Sequence, residues 1–121
     1  MSITQRSFGK PDDKRDFPNG HADFVHVGDK TVARSTMQPG WKWSNDIKPI
    51  VKTESCQMQH NGVVIAGHLR VEHSDGSTAD LKEGDAYIVE PGHDAWVVGD
   101  QPFTSVDWAP RAGDYAKPAA E

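Results

Sequence analysis

Gly84-Asp85-Ala86-Tyr87-Ile88-Val89-Glu90-Pro91-Gly92-His93-Asp94-Ala95-Trp96-Val97-Val98-Gly99 is the stretch that decides the fold. Gly84-Asp85 opens a turn, and Ala86 to Val89 follows with the apolar alternation of a strand. Pro91-Gly92 sets a tight turn, and Ala95 to Val98 predicts a second strand behind it. His93 comes directly after the turn. At that junction the backbone can join a ladder while the imidazole reaches an interior cavity.

The same alternation of short apolar runs and turn residues extends to both sides. Upstream, Leu69 and Val71 share one face up to a hairpin signal at Ser74-Asp75-Gly76, and Thr78 to Leu81 returns. Val63-Val64-Ile65 is closed by Gly67, and Ile50 to His60 reads as an extended stretch. Trp41 to Trp43 continues the pattern before a polar loop at Ser44-Asn45-Asp46. Thr31 to Met37 stops at Pro39-Gly40, and Phe24, Val25 and Val27 precede Gly28-Asp29. Downstream, Phe103 to Trp108 is the last expected strand. Turn signals recur about every 8 to 12 residues and no window carries a helical period, which points to an all-β sandwich or barrel. Residues 1–20 are polar and charged and read as a flexible arm, 21–110 as the barrel, and the Ala-, Pro- and Gly-rich residues 111–121 as a loose tail.

A chain of 121 residues is one domain with a real core. The net charge is −5, and Lys and Arg are scattered without a basic stripe. Nucleic acid and anionic membrane surfaces are therefore excluded as partners, leaving a small molecule. No apolar run reaches the roughly 18 to 20 residues that span a bilayer, and Met1 to Arg6 lacks the apolar core of a signal peptide. The single cysteine, Cys56, allows no internal disulfide, which suits a reducing cytoplasm.

The 84–99 run resembles the second sequence motif of the cupin superfamily, and the resemblance covers roughly residues 38 to 108. In that motif Gly is followed after five residues by Pro-x-Gly, then after two residues by His, then after three by Asn. Here Gly84 and Gly92 fall in register, Glu90 takes the Pro slot, and Pro91 sits one place late. Ala95 occupies the formal His slot, with His93 one strand period before it, and the Asn is absent. The first cupin motif carries His-x-His, three or four residues, Glu, six residues, Gly. Anchored on Gly67, it places His60 in the Glu slot and Glu54 and Cys56 in the two His slots, while Lys48 replaces the opening Gly.

The resemblance implies an all-β, single-domain cupin β-barrel, a double-stranded β-helix or jelly roll. It also implies a divalent metal in the barrel mouth. Each substituted residue is a competent ligand, and positions 54, 56, 58 and 60 share one face of an extended segment. The expected metal ligands are thus His60, His93 and Cys56, with Glu54 as a further ligand or a catalytic base. Imidazole with thiolate favours Zn²⁺ or Fe²⁺. The alternative is a cupin that has lost its metal, with both histidines as hydrogen-bonded interior groups and Cys56 as a small buried hydrophobe.

Trp43, Tyr87 and Trp96 are expected as pocket walls, since ligand sites favour aromatic linings. Gln57 and Gln59 fall on the outward parity, His68 and His73 on the surface, and His21 and His26 have no ligand spacing. Two function classes follow. One is an enzyme acting on a small polar metabolite by dioxygenase, isomerase, lyase or decarboxylase chemistry. The other is a non-catalytic module that binds a metabolite or a metal. A short barrel from one chain leaves open sheet edges that invite a second copy. A homodimer is therefore expected, with the N-terminal arm or the first strand crossing to its partner and Ile3, Phe8 and Phe17 spaced to cover a neighbour's sheet. The resemblance implies the same.

Overall fold

The computed structural model describes residues 2–118. Among the described residues, nine antiparallel strands form two sheets. They are β1 (Asp13–Phe17), β2 (Gly20–Val27), β3 (Lys30–Met37), β4 (His60–Ala66), β5 (His68–His73), β6 (Thr78–Lys82), β7 (Ala86–Val89), β8 (His93–Val97) and β9 (Phe103–Asp107). The large sheet runs β1-β2-β3-β9-β4-β7 and the small one β6-β5-β8. No described helix is long and apolar enough to cross a membrane.

Side-chain alternation decides which residues meet between the sheets. Ala33, Ser35 and Met37 of β3 are buried, as are His93, Ala95 and Val97 of β8 and Phe103, Ser105 and Asp107 of β9. With Phe24, Val64, Val71 and Leu81 these apolar groups make one continuous core. On β4 the same parity turns His60, Gly62 and Val64 inward, and the register slips by one residue between Val64 and Ala66. Gly62 marks the closest approach of the strands. A Cβ there would run into the Val106 carbonyl and stand 2.9 Å from the Tyr87 hydroxyl.

Three sequence expectations are corrected. The sheet starts within the supposed arm, because Asp13–Phe17 pairs with residues 20–24 through a Pro18-Asn19 turn, Asn19 taking a left-handed φ of 62°. Phe17 is buried in its own core and Phe8 lies against its own Arg34, whose guanidinium stands 4.8 Å from the ring centre, so neither is free to cover a neighbour. In place of a polar loop at 44–46 and extended chain from Ile50, residues 43–51 form two single helical turns, α1 (Trp43–Asp46) and α2 (Lys48–Val51). There Asp46 accepts the Lys42 N–H at 2.9 Å and the Asn19 amide at 3.2 Å, a local bonding pattern that outcompetes a ladder.

The segment after β9 also packs. Ala112, Tyr115 and Ala116 are buried, and a single 3-10 turn spans Ala112–Asp114. Arg15 holds it in place, donating to the Gly113 carbonyl at 2.9 Å and the Tyr115 carbonyl at 2.6 Å. The tail expectation for residues 119–121 lies outside the described residues.

Candidate metal centre

His60 opens β4 and His93 opens β8, one on each sheet. Cys56 lies in the loop before β4, and main-chain pairing fixes it. Its N–H donates to the His93 carbonyl at 2.8 Å, and its carbonyl accepts the Gly92 N–H at 2.7 Å. This one-residue bridge extends the edge of β8 and sets Cys56 and His93 directly opposite each other. Cys56 Sγ stands 3.4 Å from His60 Nε2. The donor atoms of Cys56, His60 and His93 all lie within 4.8 Å of one another.

Both imidazoles are oriented from behind. His93 Nδ1–H donates to the Glu90 carbonyl at 2.8 Å, leaving Nε2 as its free donor. His60 Nδ1–H donates to Asp107 Oδ2 at 3.1 Å, and Asp107 is itself buried in β9. A histidine backed by a carboxylate or carbonyl is the usual setting of a metal ligand.

The electrostatics of the cluster favour a charged pair. Burial raises the Cys56 thiol, but hydrogen bonds and positive charge from His60 and His93 outweigh it and bring the thiol down from 9.0 to about 6. Burial lowers His60, but hydrogen bonds from Asp107 and Cys56, with their negative charge, raise it from 6.5 to about 9. At neutral pH the metal-free cluster is a thiolate beside an imidazolium. A thiolate and two oriented imidazoles form a donor set suited to Zn²⁺ and acceptable to Fe²⁺.

Two cavities meet here. An inner chamber of about 60 Å³ is lined by His60, His93, Tyr87, Asp107, Ser105 and a mainly apolar remainder that includes Leu69 and Phe103. A water needs about 10 to 15 Å³ of such space, so the chamber takes a few waters or the end of a small ligand. An outer groove of about 410 Å³ runs between the α1–α2 turns and the 111–118 segment, with Cys56 on its wall. Trp43, Met58 and Tyr115 line both cavities. The three donors therefore stand at the junction between chamber and groove.

The expected ligands His60, His93 and Cys56 are brought together. Glu54 is not. Its side chain is 97% exposed and pairs with Lys48 at 3.4 Å, because left-handed Lys52 ends α2 and breaks the strand parity before Cys56. Trp43 and Tyr87 do line the chamber, and burial pushes the Tyr87 phenol up to about 12. Trp96 does not. It has the opposite parity to His93 and faces outward beneath Lys42, whose ammonium stands 5.2 Å from the ring centre.

His73, expected on the surface, shares the strand parity of Leu69 and Val71. It bonds the Pro91 carbonyl at 2.8 Å, close to the turn that leads into His93. Asp107 and Tyr115 went unseen in the sequence. The inward register of β9, Phe103-x-Ser105-x-Asp107, is the one signal that would have found the first.

No protein-family model matches the chain, and no curated protein does. Solved structures do match. A conserved protein with a double-stranded β-helix domain from Klebsiella pneumoniae is 24% identical, with a TM-score of 0.57, over 88% of this chain and 84% of that one. KdgF from a Halomonas species is 20% identical, with a TM-score of 0.57, over 84% of this chain and 91% of that one. A cupin domain from Bordetella pertussis is 20% identical, with a TM-score of 0.51, over 78% of this chain and 96% of that one. At these identities the likeness speaks for the fold. Two facing antiparallel sheets, with histidines from both at one end, agree with it, and the chain has the cupin fold, the double-stranded β-helix.

Proposed function

We propose that the protein is a metal-dependent cupin in which Cys56, His60 and His93 hold a divalent cation beside a small-molecule cavity. The convergence of three donor atoms within 4.8 Å carries this reading. Three protein ligands leave a fourth position for water or substrate, as in catalytic rather than structural zinc sites. Bound there, the cation supplies Lewis acidity to an oxygen of the ligand. The chain's own residues do the rest. Asp107 and the Glu90 carbonyl orient the two imidazoles, Leu69 and Phe103 limit water in the chamber, and Tyr87 offers a protonated phenol at its wall.

The ligand is a small molecule, and the reaction falls among dioxygenase, isomerase, lyase and decarboxylase chemistry. The exposure of Glu54 favours a second reading, a binding module without turnover, because the carboxylate expected as a base stands outside the cavity. Metal analysis of protein purified without chelator tests the first reading. One equivalent of Zn or Fe, lost in a His60→Ala, His93→Ala double variant, is the expected result. Metal-free protein, or metal retained by the double variant, excludes it.

Two further parts of the reading concern context. A buried free thiol suits the reducing cytoplasm. Pairing of two copies would cover the outer face of the large sheet, where Ile65, Ile88 and Trp108 are exposed near the open edge strand β7. Light scattering at micromolar concentration decides it, a dimer mass being the expected outcome and a monomer mass the contrary one.

A further inference from the structure

The turn from Glu90 to His93 is the main-chain scaffold of the site, and each of its four carbonyls accepts a hydrogen bond. Glu90 takes the Nδ1–H of His93 at 2.8 Å, and Pro91 takes the Nε2–H of His73, also at 2.8 Å. Gly92 takes the Ser74 N–H at 2.9 Å, and His93 takes the Cys56 N–H at 2.8 Å. Because a carbonyl oxygen only accepts, His73 Nε2 carries a proton. The placement of His73 is itself fixed. It ends β5 directly opposite His93 in the ladder, its N–H bonds the Ser77 carbonyl at 2.9 Å, and the Asp75 N–H meets its Nδ1 at 3.1 Å.

The Pro91 carbonyl and the Gly92 N–H belong to one planar peptide and point in opposite directions. His73 holds one side of that plane, and the other side donates to the Cys56 carbonyl at 2.7 Å. His73 therefore reaches Cys56 through a single rigid unit. Gly92 has a φ of 100°, which, with proline before it, is the arrangement of a type II turn. A type I turn joins the same ends with the central peptide turned over, and glycine permits either. Turning the plane over would carry the Gly92 N–H away from Cys56.

We infer that His73 is a positioning residue of the metal centre, its Nε2–H locking the Pro91–Gly92 peptide in the orientation that keeps Cys56 opposite His93. It acts through the main chain, on a site that rests on the metal reading above.

The test compares the full native chain with His73→Leu, which removes the donor, and with His73→Gln, whose side-chain amide replaces the imidazole N–H. Amide hydrogen exchange of the metal-free proteins reads the turn. Titration with Co²⁺ reads the site through the thiolate-to-cobalt charge-transfer band. In His73→Leu, exchange should quicken about 3- to 10-fold at the Gly92 and Cys56 amides and cobalt affinity should fall by a similar factor, the range one neutral hydrogen bond supports. His73→Gln should restore both. Native cobalt affinity in His73→Leu would overturn the inference, whether or not exchange at Gly92 changes. Equal losses in the two variants would also overturn it, as would exchange quickened along all of β5 and β8, the mark of general loosening. A native chain that takes up no cobalt would instead overturn the metal reading, and with it the role of His73 there.

Discussion

Asp107 Oδ2 lies 3.1 Å from His60 Nδ1, while Oδ1 of the same carboxylate accepts the Ala109 N–H at 2.8 Å. One oxygen is anchored to the main chain and the other aims the imidazole, so the direction of His60 Nε2 is set from β9, a different strand.

Asp107→Asn should therefore weaken metal binding by about 10- to 100-fold, the usual effect of losing the partner behind a ligating histidine. Competition with a chromophoric chelator measures it. The His60 tautomer should become mixed by ¹⁵N NMR of the metal-free protein, which a purely structural loss would not produce. Unchanged affinity would remove Asp107 from the site.

The shifted values of Cys56 and His60 make a prediction about pH in the metal-free protein. Cys56 is depressed from 9.0 to about 6, so its contribution to stability is present above the unfolded value and is lost as pH falls through about 6. His60 is raised from 6.5 to about 9, so its contribution is present below 6.5 and is lost as pH rises through about 9. Between 6.5 and 9 the two slopes oppose each other, because the folded pair holds one proton on the imidazole where the unfolded pair holds one on the thiol. Thiolate absorbance at 240 nm should rise with a midpoint near 6, while the denaturation midpoint of native protein and a Cys56→Ser, His60→Gln double variant should have the same pH slope between 6.5 and 9. A steep extra slope in the native protein would contradict the paired proton.

Arg15→Ala should open the groove. It deletes two hydrogen bonds to the carbonyls of Gly113 and Tyr115, which hold the groove's outer wall. Cys56 is 3% exposed, so in the metal-free native chain a thiol reagent should react slowly until that wall moves. Each charged hydrogen bond contributes about 1.5 to 3 kcal/mol, and labelling in the variant should be at least about tenfold faster. Rapid quantitative labelling of the native protein would contradict the packing described for Cys56.

Gly62→Ala should destabilise the fold by about 1 to 3 kcal/mol, the range for overpacking. The new methyl meets the Val106 carbonyl, a main-chain atom in a central strand that has little room to yield. Urea denaturation reads the loss, and a change under about 0.5 kcal/mol would show that β4 and β9 can part there at low cost.

The β grammar was legible where residues alternate without interruption. Ala86–Val89 is found as expected, and His93, one strand period before the formal cupin slot, faces inward because the strand begins at it. Counting back from Gly67 was enough to place His60. The same counting failed for Glu54, since strand parity holds only within a strand and Lys52 leaves α2 in the left-handed region. It failed for Trp96 because aromatic character says nothing about which face of a ladder a residue occupies. Asp107 looked like an ordinary polar residue of the last strand. Tyr115 was hidden in an Ala-, Pro- and Gly-rich stretch whose order comes from Arg15, distant in sequence, and local composition carries no trace of such a contact.

Strand β9 lies in space between β3 and β4 although it follows both in the chain. Until Phe103–Asp107 docks, β3 and β4 each present an unpaired edge, and the large sheet exists as two halves. Such non-local closure places folding on the slow side of small domains, and the waiting edges are where nascent or partly folded chains would stick to one another. The residue that aims His60 arrives on that same strand, so the barrel cannot be sealed without also completing the support of its histidine.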